Sequence, residues 1–189
     1  LGAKLNAALA KVASEQKIRA ELEENERKRL EKETKNLREY RSVFFGRLKK
    51  ILGDIEGIDV VGDRFVFSSE VLFDRGSADI GLAGKLQLDT ISKVLKDISQ
   101  KIPADINWVL RVDGHTDKTP LSQSSIFKDN WELSQARSLS VVKYMINTHE
   151  INPKRLSAAG FGEHQPISFS DSMDSLAKNR RIEFKLTER

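Results

Sequence analysis

The stretch Val112-Asp113-Gly114-His115-Thr116-Asp117, followed about a dozen residues later by Asn130-Trp131-Glu132-Leu133-Ser134-Gln135-Ala136-Arg137, reads as a strand end, a loop and a helix start. An Asp leaving a strand and an Arg on the helix that follows can face one small cavity. The first free N–H groups of that helix add donors for an anion. Such a pair offers a carboxylate to an ammonium and a planar guanidinium to a carboxylate, which suits a zwitterion.

Working outward, strands are expected at Asn107 to Asp113, Leu156 to Ala159 and Arg181 to Leu186, the last with Ile182, Phe184 and Leu186 buried and Arg181, Glu183 and Lys185 on the opposite side. The segment Ile58 to Ser69 alternates in the same way, with Phe65 and Phe67 on one face and Arg64 and Val66 on the other. Two amphipathic helices lie between strands. One spans Leu82 to Ser99 with Leu86, Ile91, Val94, Leu95 and Ile98 inward. The other spans Glu132 to Thr148 with Leu133, Ala136, Val141, Tyr144 and Met145 inward. A shorter helix is expected around Asp174 to Lys178. Strands separated by helices of this length predict an α/β (α+β) domain: a mixed sheet of about four strands with helices on one face.

The N-terminal quarter is different. From Lys4 to Ile51 there is no proline, Gly46 is the lone glycine, and strong helix formers dominate. Residues 1–52 are therefore expected to form one long helix, 53–63 a linker and first strand, and 64–189 the globular domain, with Gly53 and Gly57 breaking the helix. Uninterrupted, the helix reaches on the order of 70 Å. Leu9, Gln16, Glu23, Leu30, Leu37, Phe44 and Ile51 stand a heptad apart, with Leu5, Val12 and Tyr40 in the companion register of a coiled-coil seam. Arg19, Glu23, Glu26 and Glu33 occupy middle positions that a stable seam fills with apolar residues, so a coiled coil and a solvated single helix both fit. Phe44, Phe45, Leu48 and Ile51 are expected to pack on the globular domain or on a second copy of the helix.

The 189 residues include 32 basic and 28 acidic side chains, nearly cancelling to +4, and the two signs are interleaved. No dense phosphate footprint results, which argues against nucleic acid. With no cysteine there is neither a disulfide framework nor a thiolate. No run of about 18 apolar residues is present. The chain begins Leu1-Gly2 and is expected to continue upstream into an anchor.

Gly114-His115-Thr116-Asp117, Asn130-x-x-Leu133-Ser134-x-x-Arg137, Gly160-Phe161-Gly162 and Asn179-Arg180-Arg181 together resemble the OmpA-like domain family. The form Asn130-Trp131-Glu132-Leu133-Ser134, after a long loop with Pro120 and Phe127, is similar to the MotB-type branch. The resemblance implies a βαβαβ-type fold that binds peptidoglycan through the diaminopimelate of its stem peptide, Asp117 taking the ammonium and Arg137 the carboxylate. It also implies contacts from Thr116, Asn130, Asn179, Arg180 and Arg181, with one of the two arginines in a structural salt bridge. The segment Lys118 to Asp129 departs from the OmpA and Pal pattern, so loop contacts do not transfer.

Other roles compete at each position. Asp117 also suits a turn cap, Arg137 a surface pair with Glu132 or Asp117, and Asn130 the N-cap of its helix. Trp131 reads as a packing residue ahead of a sugar-stacking platform. His115, His149 and His164 are the only histidines, and neither a His-Glu-x-x-His pattern nor a nucleophile elbow occurs, so a non-enzyme without metal or cofactor is expected. The resemblance further implies a periplasmic domain tethered to the inner membrane, a homodimer, and either a plain wall anchor or an ion-driven motor subunit that works with a channel partner.

Overall fold

The computed structural model describes residues 2–52, 58–74, 76–104 and 106–188. The expected break at Gly53 and Gly57 lies outside them. Helix α1 runs Gly2–Leu52, and the chain divides into two compact units, Leu1–Glu39 and Tyr40–Arg189. In the first unit the seam residues Leu5, Leu9, Val12 and Leu30 are all exposed. Ion pairs one turn apart, Lys11 with Glu15, Arg19 with Glu23 and Arg29 with Glu26, line the helix surface and favour it locally.

The second unit opens with the last turns of α1. Phe44 and Phe45 are buried, and Phe45 stacks on Phe65 with ring centroids 5.1 Å apart. Leu48 and Ile51, expected to pack alike, lie outside the described side chains. Five strands follow: β1 (Ile58–Val61), β2 (Arg64–Ser68), β3 (Trp108–His115), β4 (Leu156–Gly160) and β5 (Arg181–Glu188). Their order is β1-β2-β5-β3-β4, with β3 and β4 parallel and the other pairs antiparallel. The expected single strand at Ile58 to Ser69 is thus a hairpin. Gly62, at φ 61°, supplies the left-handed residue that reverses the chain between Val61 and Arg64, and the sheet has five strands where about four were expected.

Helices α2 (Ser69–Leu72), α3 (Leu82–Ser99), α4 (Asn130–His149) and α5 (Met173–Asn179) complete the unit. The buried stripe of α3 is Gly84, Leu88, Ile91, Leu95 and Ile98, with Val94 beside it. Leu86, expected inward, is exposed, because that alternating three- and four-residue spacing passes through Leu88 and turns Leu86 outward. On α4, Leu133, Val141 and Met145 are buried, while Ala136 and Tyr144 are half-buried. Polar residues share the inner stripe of α4: Ser134, Arg137 and Ser138. Tyr144 donates to Asp89 at 2.7 Å, and His149 also lies 2.7 Å from that carboxylate, which ties α4 to α3.

Strand alternation separates two chemistries. On one face Phe65 sits opposite Phe184, Phe184 opposite Val112, and Phe67 opposite Ile182, giving an apolar core. The helix α4 lies against the same face, where Gly114 and Gly160 keep it close. A Cβ on Gly114 would stand 2.3 Å from the Ser134 carbonyl oxygen, and one on Gly160 2.5 Å from the Gln135 nitrogen. On the opposite face Val66, Glu183 and Asp113 align, as do Ser68, Arg181 and His115. Glu183 accepts from Arg181 at 2.7 Å and pairs with Arg64, and Arg111 grips Asp113 through Nε and Nη2 at 2.7 Å each. His115 stacks on Phe161 at 5.1 Å.

Candidate functional site

A cleft of about 850 Å3 opens where β3 ends, lined by α2, the residues after β3, the start of α4 and Arg180. Asp117 is buried at its wall. One carboxylate oxygen accepts the Thr119 backbone N–H at 2.7 Å, so Asp117 does cap a turn, and the other accepts from Arg180 Nη1. Burial opposes its ionisation, but the hydrogen bonds from Arg180 and Thr119 outweigh that and hold the carboxyl below the usual range. A carboxylate has about four acceptor directions. The two bonds therefore leave it able to accept from a further cation.

Arg137 enters the same cleft from the second turn of α4 and is only 5% exposed. Its Nε donates to the Ser77 carbonyl at 2.8 Å and its guanidinium lies over the Phe73 ring, 5.2 Å from the centroid. Among the described residues no carboxylate comes within ion-pair distance of it. Glu132, the surface partner considered above, instead accepts the Lys128 N–H at 2.9 Å. Burial, together with the nearby Arg180 charge, pushes Arg137 down to about 10, while Asp117 and Glu70 favour its charge without touching it. Its desolvation is offset only in part by those two carboxylates, neither of which is in contact with it.

Thr116 lines the cleft too. Its N–H donates to the Gly162 carbonyl at 2.9 Å, but its buried hydroxyl has no partner among the described residues. The Ser69 hydroxyl, on the same cleft, is also unpartnered. Asn130 is not the N-cap of α4: Asp129 holds that place, accepting from the Glu132 N–H at 2.8 Å. The Asn130 amide instead donates to the carbonyls of Asp117 and Thr119 at 3.3 and 3.2 Å and to Glu163 at 2.5 Å, fixing the loop that carries Asp117.

The segment Asn179-Arg180-Arg181 splits three ways. Only Arg180 reaches the cleft, where it bridges Asp117 and Glu70. Arg181 lies on the charged sheet face, bonded to Glu183 and to the Gln165 carbonyl, because adjacent residues entering a strand point to opposite sides. Asn179 is also away from the cleft lining. Its side chain accepts the N–H groups of Ile167 and Ser168 at 2.8 and 3.0 Å and donates to the Ser168 carbonyl at 2.7 Å. Sequence reasoning passed over Ser69, Glu70 and Phe73, which form a wall of the cleft from the four-residue α2 and the residue that caps it, too short a stretch to show a period. It also gave Ser134 no role, whereas Ser134 Oγ accepts the Gly162 N–H at 2.9 Å and secures the loop against α4.

The fold, the cleft and the motif residues around it define an OmpA-like domain. The OmpA family profile matches residues 72–180, more than half of the chain, and the chain belongs to that family. Within it the similarity runs to the MotB branch. The chain is 33% identical over 130 residues to Motility protein B of Helicobacter pylori (strain ATCC 700392 / 26695), covering 68% of this chain and 47% of that protein. It thus spans about half the length of that relative. The crystal structure of a MotB-like protein from Desulfovibrio vulgaris superposes with a TM-score of 0.69 at 28% identity, covering 83% of this chain and 96% of the other. The periplasmic domain of Helicobacter pylori MotB (residues 78–256) gives a TM-score of 0.57 at 29% identity, covering 71% and 79%.

Proposed function

We propose that this domain binds peptidoglycan without covalent chemistry, by holding the diaminopimelate of the stem peptide in the cleft, and so anchors a membrane protein or stator-like complex to the cell wall. The observation that carries the reading is Arg137: a buried cation with no carboxylate partner among the described residues, in one cleft with an ionised Asp117 that retains acceptor capacity. A zwitterionic amino-acid centre complements both. Its carboxylate meets Arg137 in two-point fashion, and its ammonium meets Asp117. The unpartnered hydroxyls of Thr116 and Ser69 and the Arg180 guanidinium complete the polar lining.

The role is recognition and not catalysis. One site grips one residue of the wall polymer, and affinity for a single site is modest. Two domains joined in a homodimer would hold a many-copied polymer far longer through effective concentration. The reading places the domain in the periplasm, tethered to the inner membrane by a segment upstream of Leu1. The similarity to Motility protein B favours a second, more specific reading, an ion-driven motor subunit whose helix α1 helps assembly with a channel partner.

Calorimetric titration with a muropeptide containing meso-diaminopimelate, beside one containing lysine in the same place, tests the proposal. Saturable binding of the first alone is expected, since lysine lacks the carboxylate that Arg137 holds. Equal binding of both would remove Arg137 from the recognition, and binding of neither would overturn the wall-anchor reading.

A further inference from the structure

Asp117, Arg180 and Glu70 stand in a row at one side of the cleft, and the wall-binding reading gives Glu70 no part. Arg180 donates through Nη1 to Asp117, and through Nε, at 3.1 Å, and Nη2 to one oxygen of Glu70. Exposure rises along the row: the side chains of Asp117, Arg180 and Glu70 are 8%, 24% and 61% exposed. A guanidinium thus separates a buried carboxylate from a solvated one. Asp74 also lines the cleft but lies outside this row.

Charge decides what the row can attract. Asp117 and Arg180 alone make a neutral pair, and the guanidinium repels an ammonium that comes to the free acceptor positions of the same carboxylate. With Glu70 the row carries one net negative charge. Arg137 supplies a separate positive charge in the same cleft, so the lining offers a zwitterion two poles.

The backbone fixes Glu70 in this place. Ser68 pairs with Arg181 in the β2–β5 register, the Ser69 N–H donates to the Arg180 carbonyl at 2.9 Å, and the Ser68 hydroxyl accepts the Glu70 N–H at 3.3 Å. The start of α2 is thereby held against Arg180, and Glu70 reaches the guanidinium without being buried. An ion pair this exposed adds little to the stability of the fold. What it changes is the charge beside Asp117.

We propose that Glu70 sets the selectivity of the cleft for an ammonium-bearing ligand, by offsetting Arg180 so that Asp117 keeps its attraction for a second cation. This role rests on the wall-binding reading above, and Glu70 exerts it through Arg180.

The test titrates the full chain and its Glu70→Gln variant, which keeps an acceptor for Arg180 but removes the charge. Two ligands are compared: the muropeptide containing meso-diaminopimelate, and the same molecule with the free amine of that residue replaced by hydrogen. Glu70→Gln is expected to bind the amine form about fivefold more weakly, the upper scale of a half-exposed charge pair. It should bind the deaminated form no more weakly than the parent does. The loss should shrink as salt is added, because Glu70 is open to screening. Equal weakening of both ligands overturns the proposal, since Glu70 would then only support the shape of the cleft. Unchanged affinity for the amine form, or a loss that salt does not alter, overturns it too. Each of these results leaves the wall-binding reading standing, whereas a parent that binds neither ligand overturns that reading together with this one.

Discussion

Two groups of buried charge lie at the C-terminal end of β3, and they are built to opposite ends. On the charged sheet face, Asp113 with Arg111 and Glu183 with Arg181 and Arg64 form closed sets in which each carboxylate has its guanidinium. In the cleft, Arg180 bridges Asp117 and Glu70, but Arg137 is left with a carbonyl and a ring. Both regions desolvate charge, and burial alone does not tell them apart. The difference is completion: a finished network stabilises what is already there, and the unfinished one is, on the function proposed above, matched to a ligand.

The strongest way to break this contrast is at the unfinished site. Arg137→Ala or Asp117→Ala is expected to lower retention on purified sacculi by at least ~30-fold, because the remaining half-site leaves one ligand charge buried and unpaired. The circular dichroism spectrum should be unchanged. If either variant sediments with sacculi as well as the parent does, the cleft is not the receptor. The converse change is Glu183→Ala on the finished network, which strands the buried Arg181. It should cost about 3 to 5 kcal/mol in urea unfolding while the folded fraction still binds the wall. A loss of binding at full stability would mean that the two networks are not separate.

Acidity sharpens the same comparison. Burial, reinforced by the Arg181 charge, pushes His115 down to about 4 from an ordinary value of 6.5. The unfolded chain then binds the extra proton between these values and the folded chain does not, so stability is fully present above about 6.5 and falls as the pH drops toward 4. Between pH 7 and pH 5 the loss attributable to His115 is about 2 kcal/mol, and His115→Gln should flatten that part of the profile. A variant with the parent's slope would assign the acid sensitivity to other groups. The smallest effect belongs to Asp129→Ala, which removes the cap of α4 and should cost about 1 kcal/mol. Because Arg137 sits further along that helix, peptide affinity should hardly move, and a large drop would show that the helix start is part of the receptor.

Much of this was legible in the sequence where a period or a motif exists. The alternation of Ile182, Phe184 and Leu186 against Arg181, Glu183 and Lys185 put the charged ladder on its side of the sheet, and the motif spacing brought Asp117 and Arg137 to one cleft. Where tertiary register decides, the sequence was silent. Arg180 and Arg181 are identical neighbours, and only the pairing of Arg181 with Ser68 and His115 turns the second one away. The cleft wall at Ser69, Glu70 and Phe73 comes from a four-residue helix and its C-cap, which have no periodicity to read. Leu86 and Leu88 differ by two positions, and a helical wheel centred slightly off picks the wrong one.

The clamp made by Asn130 has a consequence for how such a domain can diversify. One side-chain amide holds the carbonyls of Asp117 and Thr119, and its own backbone begins α4, so the two ends of the intervening loop are pinned to each other at their base. Everything from Pro120 to Lys128 can then lengthen, shorten or be exchanged like a cartridge without moving the carboxylate that the cleft depends on. A lineage, or an engineer, can rewrite the rim that Pro120, Leu121 and Ser122 give the cleft while inheriting Asp117 in place.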